Sequence, residues 1–244
     1  MAVNISTKLS DYQPYPFLIP SINLDFNIFN DYVDVFALMT VEPKFKKTSK
    51  LILKGSEIDL VSISINSREL DPNEYYLSEN ELVIKSSPSE KFILEIKSRI
   101  NPFKNTSLEG LYLSSGMLTT QCEAEGFRRI SFHPDRPDVL SKYSIRIEAD
   151  NSLYPVMLSN GNRKYSGKLI DNNRHEIIWE DPFPKPSYLF ALVAGDLEEV
   201  SDIYITGSGR SVDIKIYVEK GDEKYTAHAI ESLKKSMKWD EVKY

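Results

Sequence analysis

The sequence is poor in the residues from which disulfide frameworks and catalytic metal sites are built: one cysteine and three histidines in 244 residues. A single Cys122 excludes an intrachain disulfide and fits a reducing compartment. A lone cysteine with no base beside it in sequence is expected to be a buried packer rather than a nucleophile. His133, His175 and His228 lie too far apart to show a metal-ligand spacing. No apolar run approaches the ~20 residues that cross a bilayer as a helix. The opening segment MAVNISTKLSDYQPYPF lacks a basic stretch followed by an apolar one, so no secretory signal is expected. Positive charge is also scarce: 36 Asp and Glu outnumber 30 Lys and Arg, giving a net charge of −6 that disfavours contact with a phosphate backbone. These absences together predict a soluble, cytoplasmic chain with no nucleic-acid and no membrane partner.

The segment His175-Glu176-Ile177-Ile178-Trp179 comes nearest to a zinc motif. A metallopeptidase helix needs His-Glu-x-x-His, because two imidazoles one turn apart grip one ion while the Glu polarises its water. Here the second His is Trp179, and the alternation is that of a strand, where positions four apart are separated by about 13 Å at ~3.3 Å per residue. No catalytic metal site is expected in this chain. Gly207-Ser208-Gly209-Arg210 likewise lacks the Lys-Ser/Thr of a phosphate loop and is expected to be a hairpin turn between Tyr204 and Val212.

What is abundant is period-two alternation. Val61, Ile63 and Ile65 are expected on one strand face, as are Phe92, Leu94 and Ile96, then Tyr143, Ile145 and Ile147, then Val212, Ile214, Ile216 and Val218. Turn signals at Asp71-Pro72-Asn73, Ser159–Asn162, Asp171-Asn172-Asn173 and Gly207–Gly209 separate such runs, which predicts packed antiparallel sheets. Asn160-Gly161 predicts a two-residue hairpin. LFALVA (189–194) predicts a strand buried on both faces, and DPFPKP (181–186) an ordered loop before it. Only the end reads as helix: from Asp222 to Trp239, Ile230, Leu233 and Met237 recur at spacings of three and four. Asp240–Tyr244 then carries no Gly or Pro stop signal, as expected of a chain that continues beyond its last residue.

TTQCEAEGFRRISFHPDRPDVL (119–140) sets Glu123 and Glu125 beside a turn-forming Gly126 and a cluster of arginines. Read as residues alone, the two carboxylates are expected to pair with Arg128, Arg129 or Arg136. Together with DPFPKPSYLFALVAGDL (181–197) and SLKKSMKWDE (232–241), this stretch resembles the amino-terminal domain of the bacterial aminopeptidase N family, gluzincin zinc metallopeptidases, from about Tyr12 onward.

The resemblance implies an all-β, saddle-like arrangement of mostly antiparallel strands with one C-terminal helix. It divides the chain into a tail (1–11), the β domain (12–221) and the helical start of a link to a catalytic domain (222–244). It implies Glu123 as a substrate-binding group for the peptide α-amine, Gln121 as a lining residue of the first side-chain pocket, and a cis Glu123–Ala124 bond. The family's Gly-x-Met-Glu-Asn segment, zinc-binding helix and distal Glu ligand are absent from these 244 residues. The resemblance therefore implies zinc only in a full-length parent, no catalytic residue here, and the parent's catalytic domain as partner. The other reading is a stand-alone interaction module using the Ile230, Leu233 and Met237 stripe.

Overall fold

The computed structural model describes residues 8–45, 49–169 and 173–244. The chain first forms β1 (Phe17–Ile28), β2 (Val33–Pro43), β3 (Leu51–Lys54), β4 (Asp59–Ile65) and β5 (Arg68–Glu69). Next come β6 (Tyr75–Leu77), β7 (Glu81–Ile84), β8 (Phe92–Ile100), β9 (Gly110–Ser114) and β10 (Met117–Gln121). The second half supplies β11 (Ser141–Asp150), β12 (Val156–Ser159), β13 (Asn162–Leu169) and β14 (Arg174–Lys185). It ends with β15 (Leu192–Gly195), β16 (Leu197–Ile205), β17 (Ser211–Glu219) and one helix, α1 (Ala227–Lys243). The expected all-β class with a C-terminal helix is what the chain adopts.

Eight strands form the main sheet in the order β13-β14-β11-β1-β2-β8-β4-β5, and only the β1–β11 pair is parallel. Smaller sheets are β12-β15-β10-β9, β3-β7-β6 and the hairpin β16-β17. The core lies where the alternating residues of these sheets meet: Ile22, Leu24 and Phe26 of β1, Met39 and Val41 of β2, Leu94 and Ile96 of β8, Ile145 and Ile147 of β11. Complete burial of each such side chain contributes about 1.5–3 kcal/mol. In β1 the buried phase shifts from Phe17 and Ile19 to Ile22 and Leu24, because a bulge between Leu18 and Ser21 inserts one residue. Pro20 sits in that irregularity, where its missing N–H costs no ladder bond.

The same device overrides the alternation in β4. Ile63 and Ile65 are buried, but Val61 is exposed, because the register slips between Leu60 and Ser62 and leaves Val61 as the extra residue. Three other expectations are corrected. Asn160-Gly161 does turn the chain, with φ +87° at Gly161, yet it joins strands of different sheets: β12 pairs with β15 and β13 with β14. LFALVA is not doubly buried. Leu189 ends a short 3-10 turn and is exposed, and the strand begins at Leu192, with Leu192 and Ala194 buried and Val193 only partly so. Residues 181–185 of DPFPKP are the end of β14 rather than a loop; Pro182 and Pro184 lie where the β11–β14 pairing is irregular, and Pro186 follows the strand. Tyr204 and Val212 are paired across the expected hairpin, and Asp71-Pro72-Asn73 forms a turn closed by Glu74 N–H to the Asp71 carbonyl. Residues 171 and 172 of the Asp171–Asn173 turn signal, and residues 1–7 of the tail, lie outside the described residues.

α1 follows a 3-10 turn at Glu223–Tyr225 and is tied by side-chain contacts to β16 and the turn after it. Ile230 is its buried anchor, whereas Leu233 is 42% exposed and Met237 only partly covered. The Tyr204 hydroxyl (2.7 Å) and the Gly207 N–H (3.0 Å) donate to Glu241, and Lys234 meets Asp202 at 2.5 Å. Among the described residues, no helix is long and apolar enough to cross a membrane.

Candidate functional site

β10 ends at Gln121, and the chain turns through Cys122–Glu125 into a 3-10 helix at Gly126–Arg129. The turn is fixed from below. Cys122 is buried, and burial with the nearby Asp135 charge pushes its thiol up to about 12, so it is a packing group. The Gly126 N–H donates to the Cys122 carbonyl at 2.8 Å. A Cβ at Gly126 would fall 2.3 Å from the Gln121 carbonyl oxygen and 3.0 Å from the Gly110 nitrogen, so no larger residue fits without moving backbone. Phe127 is wholly buried, edge-on to Phe190 at 5.3 Å and to His133 at 5.2 Å. Such aromatic contacts add about 0.5–1.5 kcal/mol beyond area burial.

On this base Glu123 and Gln121 are both exposed and brought together: the Gln121 side-chain amide donates to the Glu123 carbonyl at 3.1 Å. The Glu123–Ala124 peptide is cis, as the family resemblance implies. The simple expectation that both glutamates pair with arginine holds for one of them. Glu125 meets Arg128 at 3.1 Å. Arg129 is held instead by Glu57 at 2.7 Å and Glu109 at 3.4 Å, and Arg136 by Asp138 at 2.7 Å. Among the described residues, no hydrogen-bond or ion-pair partner meets the Glu123 carboxylate.

Sequence reasoning missed the residue beneath the turn. The Asp135 side chain is 1% exposed and accepts from Arg128 Nε at 2.8 Å, the Arg128 backbone N–H at 3.2 Å and the Ser187 hydroxyl at 2.8 Å. Its own N–H donates to His133 Nδ1 at 3.0 Å. Burial pulls the His133 pKa down to about 4, against a smaller opposing effect of the Asp135 charge. The only sequence signal was a charged cluster between prolines, and nothing in it says which carboxylate is buried.

The near-motif at His175 does not form a zinc site. His175 lies on β14, as the strand reading requires, and its Nε2 is bonded to the Tyr154 carbonyl at 2.8 Å. Glu176 pairs with Arg146, and among the described residues no three His, Cys, Asp or Glu side chains are grouped to hold a metal.

The family model described as Peptidase M1 N-terminal domain matches residues 12–189, and the chain belongs to that family. It is 48% identical to aminopeptidase N of Caulobacter vibrioides over 97% of its own length and 27% of that protein's. It is 43% identical to aminopeptidase N of Escherichia coli, over 96% of its length and 26% of the relative's. The crystal structure of Legionella pneumophila aminopeptidase A superposes with a TM-score of 0.91 at 38% identity, covering 96% of this chain and 28% of that one. An M1 zinc metallopeptidase from Deinococcus radiodurans, 14% identical with a TM-score of 0.71, shares the fold. The chain thus spans about a quarter of the length of these aminopeptidase N relatives.

Proposed function

We propose that the chain is the amino-terminal domain of a zinc-dependent aminopeptidase that removes amino-terminal residues from peptides. Within it, residues 12–221 cover one side of the active-site cleft and residues 222–244 begin the link to the catalytic domain. Glu123 binds the substrate α-ammonium through charge-assisted hydrogen bonds, and Gln121 lines the pocket for the first side chain. Zinc, its activated water and every bond-breaking step belong to the catalytic domain, the partner of this one. The exposed Trp239 and Val242 near the end of α1, and Tyr244 just after it, are apolar surface that such a domain would cover. The proposed compartment is the cytoplasm.

The observation that carries this reading is the contrast between the two glutamates: Glu125 is engaged by Arg128, while Glu123 stands exposed on a fixed turn with no partner among the described residues. An exopeptidase must discriminate a free amine from an acylated one, and an unpaired carboxylate held in place does that. In the enzyme that carries this domain, Glu123→Gln is expected to raise KM for an aminoacyl anilide about 10- to 100-fold, roughly 1.4–2.8 kcal/mol. Glu57→Gln, at another exposed carboxylate near the turn, should change KM by less than about twofold, in keeping with the small worth of surface ion pairs. Equal effects at the two positions would remove Glu123 from the amine site. Self-association of the chain through α1 would favour a stand-alone interaction module instead.

A further inference from the structure

We infer that Asp135 is a positioning residue for amine recognition, a buried carboxylate that ties together both stems of the turn carrying Glu123. The inference rests on the role proposed for Glu123.

One branch runs to the far stem. Asp135 Oδ2 receives both the backbone N–H and the Nε of Arg128, and the same guanidinium reaches Glu125 through Nη2 at 3.1 Å. The residue two positions after Glu123 is thereby tied to the core. The other branch runs to the near stem. Asp135 Oδ1 receives the Ser187 hydroxyl, and Ser187 opens the 3-10 turn Ser187–Leu189 that leads into β15. β15 pairs with β10 at Leu118 and Thr119. The Thr120 hydroxyl both donates to the Leu192 carbonyl at 3.3 Å and accepts from the Leu192 N–H at 2.9 Å. β10 ends at Gln121, where the turn begins.

Asp135 is itself held in an uncommon conformation. Its φ is +49°, in the left-handed region that non-glycine residues seldom occupy. With its N–H fixed on His133 Nδ1, its two carboxylate oxygens serve opposite stems. Two branches from one buried anion restrain a turn more tightly than either alone. A functional carboxylate gains from such support because misplacement by 1 Å can cost about 100-fold.

The test is a double-mutant cycle on KM and kcat for an aminoacyl anilide, in the full enzyme carrying this domain, with melting curves to verify folding. Asp135→Ala is expected to raise KM about tenfold, well inside that ~100-fold cost of misplacement, while kcat changes by less than about threefold. In a Glu123→Gln background the same substitution should raise KM by less than about twofold, because the group it positions has gone. Asp135→Asn keeps the shape and one branch and should recover most of the loss; where the alanine variant does not fold, Arg128→Met, which removes the side-chain part of the far-stem branch, takes its place in the cycle against Glu123→Gln. A full, additive tenfold effect on both backgrounds would overturn the positioning role while leaving Glu123 in place. If Glu123→Gln alone leaves KM unchanged, the amine-binding reading fails first, and this inference falls with it.

Discussion

His133 carries an acid sensitivity in a pH window of its own. Its ring is completely buried, and burial lowers its pKa to about 4 from an ordinary value near 6.5. Between these values the unfolded chain takes up a proton that the folded chain refuses. The stabilisation is therefore present above about pH 6.5 and lost as the pH falls toward 4, by about 3 kcal/mol in all. Glu199, lowered to about 2 chiefly by hydrogen bonds from Lys215 and Ser201, also loses its contribution in acid, but only below the ordinary carboxylate range, so the two effects occupy different windows. Urea midpoints measured from pH 7 to pH 4.5 should fall steadily. In His133→Asn, which keeps an acceptor for the Asp135 N–H but does not titrate there, stability should be lower at pH 7 and nearly flat with pH. An unchanged slope would assign the acid loss elsewhere. At this scale the cis Glu123–Ala124 bond was legible because the motif matches a family, and the burial of Cys122 because a lone thiol is usually packed. Asp135 was not legible, since burial of one carboxylate among Asp135, Asp138, Glu123 and Glu125 is decided by contacts from Ser187, 52 residues away.

The elements divide by what local pattern can specify. Alternation in β8 and β11 predicts their buried faces, because both strands sit inside the main sheet with unbroken ladders beside β2 and β1. It fails at Val61, where a bulge shifts one residue to the outside, and a bulge leaves no mark in a run of β-branched residues. Asn160-Gly161 announces a turn but not which strands it connects; that is set by β14 and β15 competing for β13 and β12. α1 itself was legible, though it runs from Ala227 to Lys243 rather than from Asp222 to Trp239. Its tether was not, because Glu241 finds its donors on Tyr204 and Gly207 of the preceding hairpin. Glu241→Ala should leave global stability within about 1.5 kcal/mol, the net worth of a typical hydrogen bond. It should speed amide exchange across the last turn of α1 while the β-sheets stay protected. Uniform loss of protection would show that α1 and the sheets unfold as one unit.

As a whole molecule, the chain mounts the turn proposed for amine recognition on a large, mostly antiparallel framework. Its core strands set the fold, the Phe127, Phe190 and His133 rings support the 3-10 helix beneath the turn, and Asp135 links the stems of the turn that presents Glu123. The fold class followed from strand periodicity and turn spacing. The proposed division of labour with a second domain rests on what the sequence resembles and on the quarter of its relatives' length that it spans. On this account recognition and chemistry are carried by different parts of the enzyme, and this part has no metal chemistry of its own. The measurement that tests it most directly is made on the purified 244-residue chain: metal content after dialysis against zinc, together with aniline release from an aminoacyl anilide. The account predicts less than stoichiometric zinc and no release above buffer. One tightly bound zinc per chain with chelator-sensitive turnover would contradict it.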